Sequence, residues 1–390
     1  MLLWKSHYRE KMSKNSVFTF LLYCMLCCGF WSSTAVDLTK VDLSYRYDPD
    51  APVQLISRVA QLGSVITVYL DITTDSSFVW AREFYLQSGY DSDSDILLSP
   101  TIQENEVSKM KWNGTISFPA PTREDLLVIR IASDFEFYFD IPLRNARLPF
   151  PAFIPLSKGK PVLTNYLPSA SLHWTTDQTM LVSSYNDISG PAEAPMEEMK
   201  ALAPILAEDT LFVMLDSMFL EDYDFYFFRQ DSASDNGLTL LKTPPYYPSY
   251  RLIGELIGPM KYITTDAEYR ALTQSNKPKR TFDEFWINTY GTKFRARNAI
   301  RKYFEAVENA NKYFTVYKPG WKTDQGMIYS VFGTPIEMYR TDNSERWVYE
   351  DIEFEFIKVS TLFGPVYALR KDRKYEKGWY DEVGRIRKGE

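Results

Sequence analysis

The sequence predicts a multidomain protein in which two antiparallel β-sandwich-like domains precede a C-terminal α+β domain. Two observations favour this fold class. From Val36 to about Asn145 the dominant pattern is an alternation of apolar and polar residues, which is the period of half-buried strands. Near Arg280 the apolar spacing changes to three and four residues, which is typical of helices with one buried face. A chain of 390 residues is also too long for one ordinary core.

Composition indicates a folded protein with little attraction for nucleic acid. Hydrophobic residues make up 45% of the chain, with 27 Tyr and 25 Phe, so there is ample apolar surface for packed cores. The net charge is −7 at pH 7, and it would be more negative without the basic residues near the N-terminus. Nucleic acid is therefore a poor partner, since its phosphates are bound mainly by Lys and Arg.

We predict four boundaries from composition and periodicity. Five prolines between 148 and 168 indicate a linker leading into an edge strand, because proline cannot donate to a strand ladder. The predicted segments are a signal peptide (1–35), a β-sandwich domain (36–147), a second β-rich domain (148–275), an α+β domain (276–370) and a charged tail (371–390), helical or disordered.

The first 35 residues have the layout of a secretory signal peptide. Four basic residues precede an apolar run over 17–31, and Ser33 and Ala35 then predict cleavage before Val36. A retained membrane anchor is the alternative, although the run is short for a span. All three cysteines, Cys24, Cys27 and Cys28, lie in this leader, so the mature chain would have none. A lipoprotein acylated on Cys27 or Cys28 is a further alternative.

Individual strands and one turn are predicted in the β-rich part. Period-two alternation indicates strands at Val41 to Tyr47, Ile66 to Ile72 and Phe135 to Ile141. Asn113-Gly114 is expected to form a hairpin turn, since both residues tolerate positive φ. In the second block the predicted strands are Thr179 to Ser184, Thr210 to Leu215 and Tyr223 to Phe228, with a short helix near Met196 to Leu206.

Two helices are predicted after Arg280. Thr281-Phe282-Asp283-Glu284 has the form of a capping box, so the first helix is expected to begin there. After Gly291-Thr292, an apolar stripe with helical spacing predicts a second helix, which Pro319-Gly320 is expected to stop. The stripe consists of Ile300, Tyr303, Phe304, Val307, Ala310 and Phe314.

A spaced set of motifs follows this predicted stop. Gly320-Trp321-Lys322-Thr323-Asp324 is followed by Gly326, Gly333-Thr334-Pro335, Trp347 and Tyr349. In this order the elements resemble the GWxTD-domain family of exported Gram-negative envelope proteins, over roughly residues 280–370. The resemblance implies an envelope setting but no reaction. Gln325 stands where the family usually has an arginine, so an ion-pair role at that position is not implied here.

The motif residues also have a physical interpretation of their own. We expect Gly320 to take a positive φ at the helix end and Trp321 to be buried against neighbouring helices. Thr323 or Asp324 would cap a short helix running to about Phe332. Gly333 and Pro335 would close that helix and lead into a sheet, in which Ile352, Phe354 and Phe356 alternate with glutamates. We interpret the motif as a structural or interaction corner, with a ligand or catalytic site as the alternative.

Few residues suited to catalysis remain after the leader. His173 is the single histidine beyond it, and we predict that it is an ordinary sheet residue. Asp91-Ser92-Asp93-Ser94-Asp95 could ligate calcium, but it lacks the glycine and distal glutamate of an EF-hand loop, so a solvated acidic turn is favoured. Phosphate-binding glycine loops are absent from the sequence. We therefore expect no cofactor, no metal and no enzymatic activity.

These observations favour an assembly or scaffold subunit of a cell-envelope complex, in the periplasm or on the periplasmic face of the outer membrane. The expected partner is an envelope protein, with outer-membrane biogenesis or secretion as the process. A glycan- or peptide-binding module is the alternative, using exposed aromatics such as Tyr246, Tyr247 and Tyr250. A hydrolase with paired carboxylates is the third hypothesis.

Overall fold

A computed structural model describes most of the chain after residue 34. The described residues are 35–75, 81–108, 110–132, 135–143, 150–167, 171–174, 179–187, 189–197, 205–213, 217–220, 224–230, 232 and 237–389. Within 35–390 they belong to one compact unit. The predicted signal peptide and its three cysteines lie outside the described residues. In the described part, no helix combines the length and apolarity that crossing a bilayer requires.

Alternating apolar residues build two four-stranded antiparallel sheets among the described residues up to 143. The first has the strand order β1-β2-β6-β5 and the second β4-β3-β7-β8. The buried faces of both sheets contribute to one hydrophobic cluster, and Ile66 and Ile72 lie in it as predicted. The strands are β1 Val53–Leu62, β2 Val65–Thr74, β3 Ala81–Gln87, β4 Asp95–Leu98, β5 Thr101–Val107, β6 Lys111–Pro119, β7 Leu126–Ala132 and β8 Glu136–Pro142.

The prediction of a strand at Val41 to Tyr47 is wrong. The chain there forms two 3₁₀ turns, Leu38–Lys40 and Ser44–Tyr47. The carboxylates of Asp37 and Asp42 accept the backbone N–H groups two residues ahead, which favours a turn over an extended ladder. Leu43 and Tyr45 are nevertheless buried, so the alternation correctly indicated core residues.

The hairpin turn predicted at Asn113-Gly114 is also wrong. Both residues lie inside β6, where Gly114 is paired with Leu70 on one side and Glu104 on the other. A Cβ on Gly114 would lie 2.5 Å from the carbonyl oxygen of Gln103 and 2.9 Å from the Trp112 ring. A glycine is therefore required at position 114 because the neighbouring strand approaches closely. Close approach of another backbone is a common reason for a glycine inside a strand.

A second β-rich block covers the described residues from 150 to 242. Its two sheets have the orders β10-β9-β12-β15 and β11-β17-β16-β13-β14, and β11 pairs with β17 in parallel. Pro161 lies on edge strand β10, as the linker prediction requires. Residues 198–204 of the predicted helix lie outside the described residues. The strands are β9 Leu156–Ser157, β10 Lys160–Pro161, β11 Tyr166–Leu167, β12 Ser171–His173, β13 Met180–Tyr185, β14 Asp209–Val213, β15 Ser217–Phe219, β16 Phe225–Arg229 and β17 Leu238–Lys242.

The helical region begins earlier than the predicted capping box. Thr281 lies inside a helix that starts at Pro278, and its hydroxyl bonds to Ser275 and to the carbonyl of Lys277. A true capping box occurs upstream, between Thr265 and Glu268. The helices are α1 Ile253–Ile257, α2 Asp266–Thr273, α3 Pro278–Tyr290, α4 Lys293–Phe314, α5 Asp324–Phe332 and α6 Glu376–Lys388, and 3₁₀ turns occupy Gly258–Tyr262, Gly320–Lys322 and Arg373–Tyr375.

Helix α4 carries the predicted stripe, but it ends before the predicted stop. Tyr303, Val307, Ala310 and Phe314 are buried, and Ile300 and Phe304 pack against the same core. The last helical residue is Phe314, because Thr315 turns to extended backbone and its hydroxyl accepts the N–H of Gly320. Pro319 and Gly320 therefore do not end α4. They lie at the start of the 3₁₀ turn Gly320–Lys322 that follows it.

An antiparallel sheet and a final helix complete the C-terminal part. The sheet order is β18-β19-β20-β21, with strands Glu337–Arg340, Ser344–Val348, Glu353–Thr361 and Gly364–Leu369. Phe354 and Phe356 are buried on β20, as the alternation predicts. The charged tail forms helix α6, whose Trp379 is buried in the main cluster.

Candidate functional site

The motif corner, residues 320–333, is built on two glycines that bring three backbone segments together. A Cβ on Gly320 would lie 2.0 Å from the carbonyl oxygen of Ala310 in α4. A Cβ on Gly326 would lie 1.9 Å from the carbonyl oxygen of Gly320. The prediction of a positive φ at Gly320 is wrong, since the left-handed glycines of this region are Gly291 and Gly333. Close backbone approach is the actual requirement.

Trp321 is buried at this corner, as predicted. Its ring lies edge-on to Tyr262 at 6.0 Å and over Gly258, where a Cβ would come within 2.9 Å of it. Its indole N–H donates to the Tyr250 hydroxyl at 2.9 Å. The tryptophan therefore ties the corner to the helical segment 250–262.

Of the two candidates for the cap of α5, Thr323 is the cap, and Asp324 has a role that was not predicted. The Thr323 hydroxyl caps α5 by accepting the N–H of Gly326 at 3.0 Å. Asp324 instead accepts the N–H of Leu369 at 3.0 Å and lies 3.4 Å from the Lys371 ammonium. The carboxylate thus connects the start of α5 to the end of β21.

The downstream motif residues close the other end of α5. Gly333 takes φ +72°, and its carbonyl accepts the Tyr349 hydroxyl at 2.9 Å. Pro335 is buried before β18. Trp347 is fully buried, and its indole N–H donates to Glu345 at 3.1 Å. All nine predicted motif residues therefore lie in or beside the junction of α4, α5 and β18–β20.

A buried ionic cluster adjoins this junction. It consists of Tyr47, Asp140, Arg340 and Glu345, and joins the first sheets to the C-terminal sheet. One guanidinium nitrogen of Arg340 donates to Asp140 at 2.7 Å, and the other contacts Glu345 and donates to the Tyr47 hydroxyl at 2.9 Å. Arg46 contacts the second oxygen of Asp140. Since Asp140 and Glu345 are 3% and 0% exposed, their charges depend on these partners.

The pKa shifts in the cluster follow from burial and pairing. Burial by itself raises the pKa of Asp140, but the guanidinium groups of Arg340 and Arg46 outweigh it and hold the pKa below its ordinary value. Burial likewise raises the pKa of Tyr47, with the Glu345 charge adding to the effect. The carboxylate of Asp140 is therefore ionised and the Tyr47 phenol is neutral near pH 7.

Gln325 takes part in this cluster without carrying a charge. Its amide donates to Glu345 at 2.8 Å. The positive charge beside Glu345 comes from Arg340 on β18. A glutamine at position 325 is thus compatible with a buried glutamate, because the compensating cation is supplied by another element.

Sequence reasoning missed the charged members of the cluster, although a signal for two of them existed. Glu345 lies two residues before the buried Trp347 on β19, and Arg340 lies two residues after the buried Met338 on β18. Period two therefore puts both charged side chains on core-facing positions. Asp140 gave no such signal, because it lies out of phase with Phe139 and Ile141, which are buried as well.

The other candidate residues lie apart from this site. His173 is on β12, as predicted, with its ring nitrogen 3.1 Å from the Ser171 hydroxyl. In the 91–95 segment the Ser92 hydroxyl donates to the carbonyl of Ser94 at 2.6 Å. No group of three or more His, Cys, Asp or Glu in the described residues is arranged to hold a metal ion.

The expected tyrosine platform is not exposed as predicted. Tyr247 is buried, and its hydroxyl contacts that of Thr315. Tyr250 accepts the Trp321 indole, and the Tyr246 hydroxyl donates to Glu255 at 2.8 Å. Packing against the motif corner accounts for these side chains.

The edge strands β4 and β5 of the first two sheets carry exposed apolar side chains. Strands β4 and β5 are consecutive in the chain, and each is the edge strand of a different sheet. Leu97 is 65% exposed and Val107 61%, and Ile96 and Ile102 are about half exposed. We call these four side chains the apolar edge.

Comparison with known families agrees with the motif geometry. Residues 224–388 match the family model of the GWxTD domain, which extends beyond both ends of the 280–370 resemblance. No curated protein matches the chain. The matched residues include the motif corner, β18–β21 and α6. Residues 224–388 of this chain are therefore a GWxTD domain, the domain that its spaced motifs resemble.

Proposed function

We propose that this protein is a non-enzymatic assembly or scaffold subunit of a cell-envelope complex, exported to the periplasm or to the periplasmic face of the outer membrane. The observation that carries the proposal is the apolar edge. In this proposal two sandwich-like domains, 36–147 and 148–275, present surfaces to partners. The GWxTD domain fixes the positions of these two domains. Outer-membrane biogenesis or secretion is the process we favour.

The apolar edge has the character of a protein contact surface. Its four exposed aliphatic side chains lie on two edge strands that follow one another in the chain. The unpaired side of an edge strand is a template on which another chain can pair. Strand β5 is exposed along its whole length, and its outer backbone groups face away from the sheet. An extended segment of a partner protein could pair with β5 and cover the aliphatic side chains.

The ionic cluster supports a scaffold role because it links the N-terminal residues Tyr47 and Asp140 to Arg340 and Glu345 of the C-terminal sheet. Tyr47 on the N-terminal side contacts Phe314 at 4.8 Å and Trp347 at 5.3 Å between ring centroids. The Tyr329 hydroxyl donates to the carbonyl of Tyr47 at 2.8 Å. Contacts of this kind hold the first sheets in a constant orientation against α4, α5 and β19, as a holding protein requires.

The same cluster gives no support to a carboxylate-dependent hydrolase. A general acid in glycoside hydrolysis needs a raised pKa. The pKa of Asp140 is lowered, and both of its oxygens contact guanidinium groups. Glu345 accepts from Arg340, Gln325 and Trp347. These carboxylates are suited to holding structure together.

Site-specific photocrosslinking tests the scaffold proposal. A photoreactive amino acid replaces Val107 in the exported protein, and Leu97→Lys is introduced as the disrupting change. We expect one envelope protein to be crosslinked in near-stoichiometric yield, and the yield to fall at least about tenfold with Leu97→Lys, because burying an ammonium in an apolar contact is costly. Phe294→Lys is the matched control, since Phe294 is exposed on α4, away from the apolar edge. Equal crosslinking with Leu97→Lys, or no crosslinked partner, would contradict the proposal.

The N-terminus of the exported protein tests the location. Mass spectrometry should find a free N-terminal Val36, as cleavage before this residue predicts. An acylated Cys27 or Cys28 would instead mean a membrane-tethered protein. Recovery of intact chain from the cytoplasm alone would contradict export.

A further inference from the structure

A cavity of about 320 Å³ lies beside the ionic cluster, where β1, β8, β17 and the C-terminal sheet meet. Among the described residues that line it, the charged ones are Arg46, Arg58, Arg340 and Lys358 against one carboxylate, Asp140. Two further carboxylates lie behind this lining, Glu345 at Arg340 and Asp342 near Lys358. The described charged groups in and behind the lining therefore carry a positive excess.

Arg58 is the cation in this lining whose charge is least compensated. Its guanidinium donates to the carbonyl of Leu163 at 3.2 Å and to the side-chain oxygen of Asn165 at 2.8 Å, both neutral acceptors. Its Nε is buried and has no hydrogen-bond partner in the part of the chain that the structure describes. Within the described residues it forms no ion pair with a carboxylate. Burial lowers the pKa of Arg58 to about 10, which shows that its charge is poorly compensated.

Lys358 and Arg340 extend this cationic lining. Lys358 is half-buried on β20, opposite Tyr367 of β21, and its ammonium is 3.4 Å from the carbonyl of Asp342. Burial, with repulsion from Arg340, lowers the pKa of Lys358. The Nε of Arg340 is also buried, on a side chain that is 9% exposed, and has no hydrogen-bond partner among the described residues. Arg58 and Arg340, which both line this cavity, therefore each have a guanidinium N–H without a described partner.

The remaining lining is apolar. Phe150, Pro151 and Ile154 contribute one part of it, and Leu238 and Pro365 contribute another. A bare inorganic ion would leave these surfaces uncovered, whereas a ligand with an organic part would bury them.

We propose that this cavity binds a small organic phosphate monoester, with its dianionic group on Arg58, Arg340 and Lys358 and its organic part against Phe150, Pro151 and Ile154. A dianion complements the positive excess of the described lining, and guanidinium groups suit phosphate oxygens. This site is separate from the apolar edge, so it neither requires nor excludes the scaffold function.

Titration calorimetry with defined probes tests the proposal on the purified protein. Phenyl phosphate at pH 7.5 should bind saturably with one molecule per chain. Benzoate, with one negative charge, and inorganic phosphate, with no ring, should each bind at least about tenfold more weakly, and phenol should not bind. Lowering the pH from 7.5 to 5 should weaken phenyl phosphate binding, since the second phosphate pKa is about 6.

Three variants locate the binding. Arg58→Gln and Lys358→Gln should each weaken phenyl phosphate at least about tenfold, because each removes a charge-assisted contact. Lys279→Gln should bind as the parent does, since Lys279 is exposed on α3. Circular dichroism checks folding, and if Arg58→Gln does not fold, Lys358→Gln alone decides. The proposal is overturned if no saturable binding occurs, if inorganic phosphate or benzoate binds equally well, or if Lys358→Gln binds as the parent does.

Discussion

Gly320 shows at the scale of one residue how the GWxTD motif works in this protein. Its missing side chain lets the corner backbone touch Ala310 of α4, and the next glycine of the motif, Gly326, lets α5 touch Gly320 in turn. Trp321 then covers the outside of this contact and bonds to Tyr250. The motif residues are therefore explained by close packing of α4, the corner and α5.

Replacing Gly320 by alanine should strongly destabilise the fold. The new Cβ would meet backbone atoms of α4, which cannot move aside as a flexible side chain could. We expect the free energy of unfolding to fall by more than about 3 kcal/mol, as measured by urea denaturation. Gly384→Ala is the control, since nothing lies within 4 Å of a Cβ there. In helix α6 that change should stabilise by up to about 1 kcal/mol. Similar losses for both variants would argue against this explanation.

Asp140 should make stability fall in acid. Its pKa in the folded protein lies below its ordinary value, so the stabilisation is complete above the unfolded pKa of about 4. It is lost as the pH falls through the lower, folded-state pKa. Asp140→Asn should therefore be less stable than the parent at pH 7 and lose less further stability between pH 5 and 3. Urea unfolding at each pH measures this. Asp283→Asn, at an exposed position on α3, should keep the slope of the parent. The prediction would be contradicted if the free energy of unfolding fell equally steeply with pH in Asp140→Asn and in the parent.

At the scale of elements, the correct predictions depend on near neighbours. The stripe of α4 and the alternation of β2 were predicted correctly, and Thr323 was one of the two residues predicted to cap α5. The hairpin turn predicted at Asn113-Gly114 does not form, because Gly114 is needed for the close approach of Gln103 on another strand. The ionic cluster joins Asp140 to Arg340 across 200 positions, and no local pattern encodes that pairing.

An ion pair between Arg387 and Glu268 attaches helix α6 to the start of helix α2. Arg387 forms two hydrogen bonds, of 2.8 and 2.9 Å, with Glu268, and it donates to the carbonyl of Ile263 at 2.8 Å. Glu268 in turn accepts the N–H of Thr265, which completes the capping box of α2. The charged tail is therefore attached to α2 through one glutamate.

Glu268→Gln should loosen α6. The hydrogen bonds from Arg387 are the main cause that lowers the pKa of Glu268 to about 2, so the stabilisation is present above the unfolded pKa of about 4.3 and is lost as the pH falls towards 2. At pH 7 we expect a loss of about 1 kcal/mol and faster amide exchange in α6. Glu284→Gln removes an exposed pair on α3 and should change stability by less than about 0.5 kcal/mol. Unchanged exchange in α6 would contradict this attachment.

At the scale of the whole molecule, one hydrophobic cluster runs from the first sheets into the helices. It contains Ile66 and Ile72 of β2 together with Trp286 of α3 and Phe314 of α4. The ionic cluster lies across the same boundary, since Arg340 contacts Asp140 of β8 and Glu345 of β19. A continuous core and a buried ionic contact at one boundary should couple the two parts energetically.

Unfolding should therefore be cooperative across that boundary. In native-state hydrogen exchange, the slowest amides of β2 and α4 should open with the same free energy. Glu345→Gln leaves the Arg340 charge less compensated, so it should lower both opening energies together, by about 3 kcal/mol or more. Glu353→Gln, which removes an exposed pair with Arg346, should change neither by more than about 0.5 kcal/mol. If Glu345→Gln lowered protection in α4 and left β2 unchanged, the first sheets would be an independently folding domain. In that case the ionic cluster would be a contact between separate domains and would not hold a single rigid scaffold together.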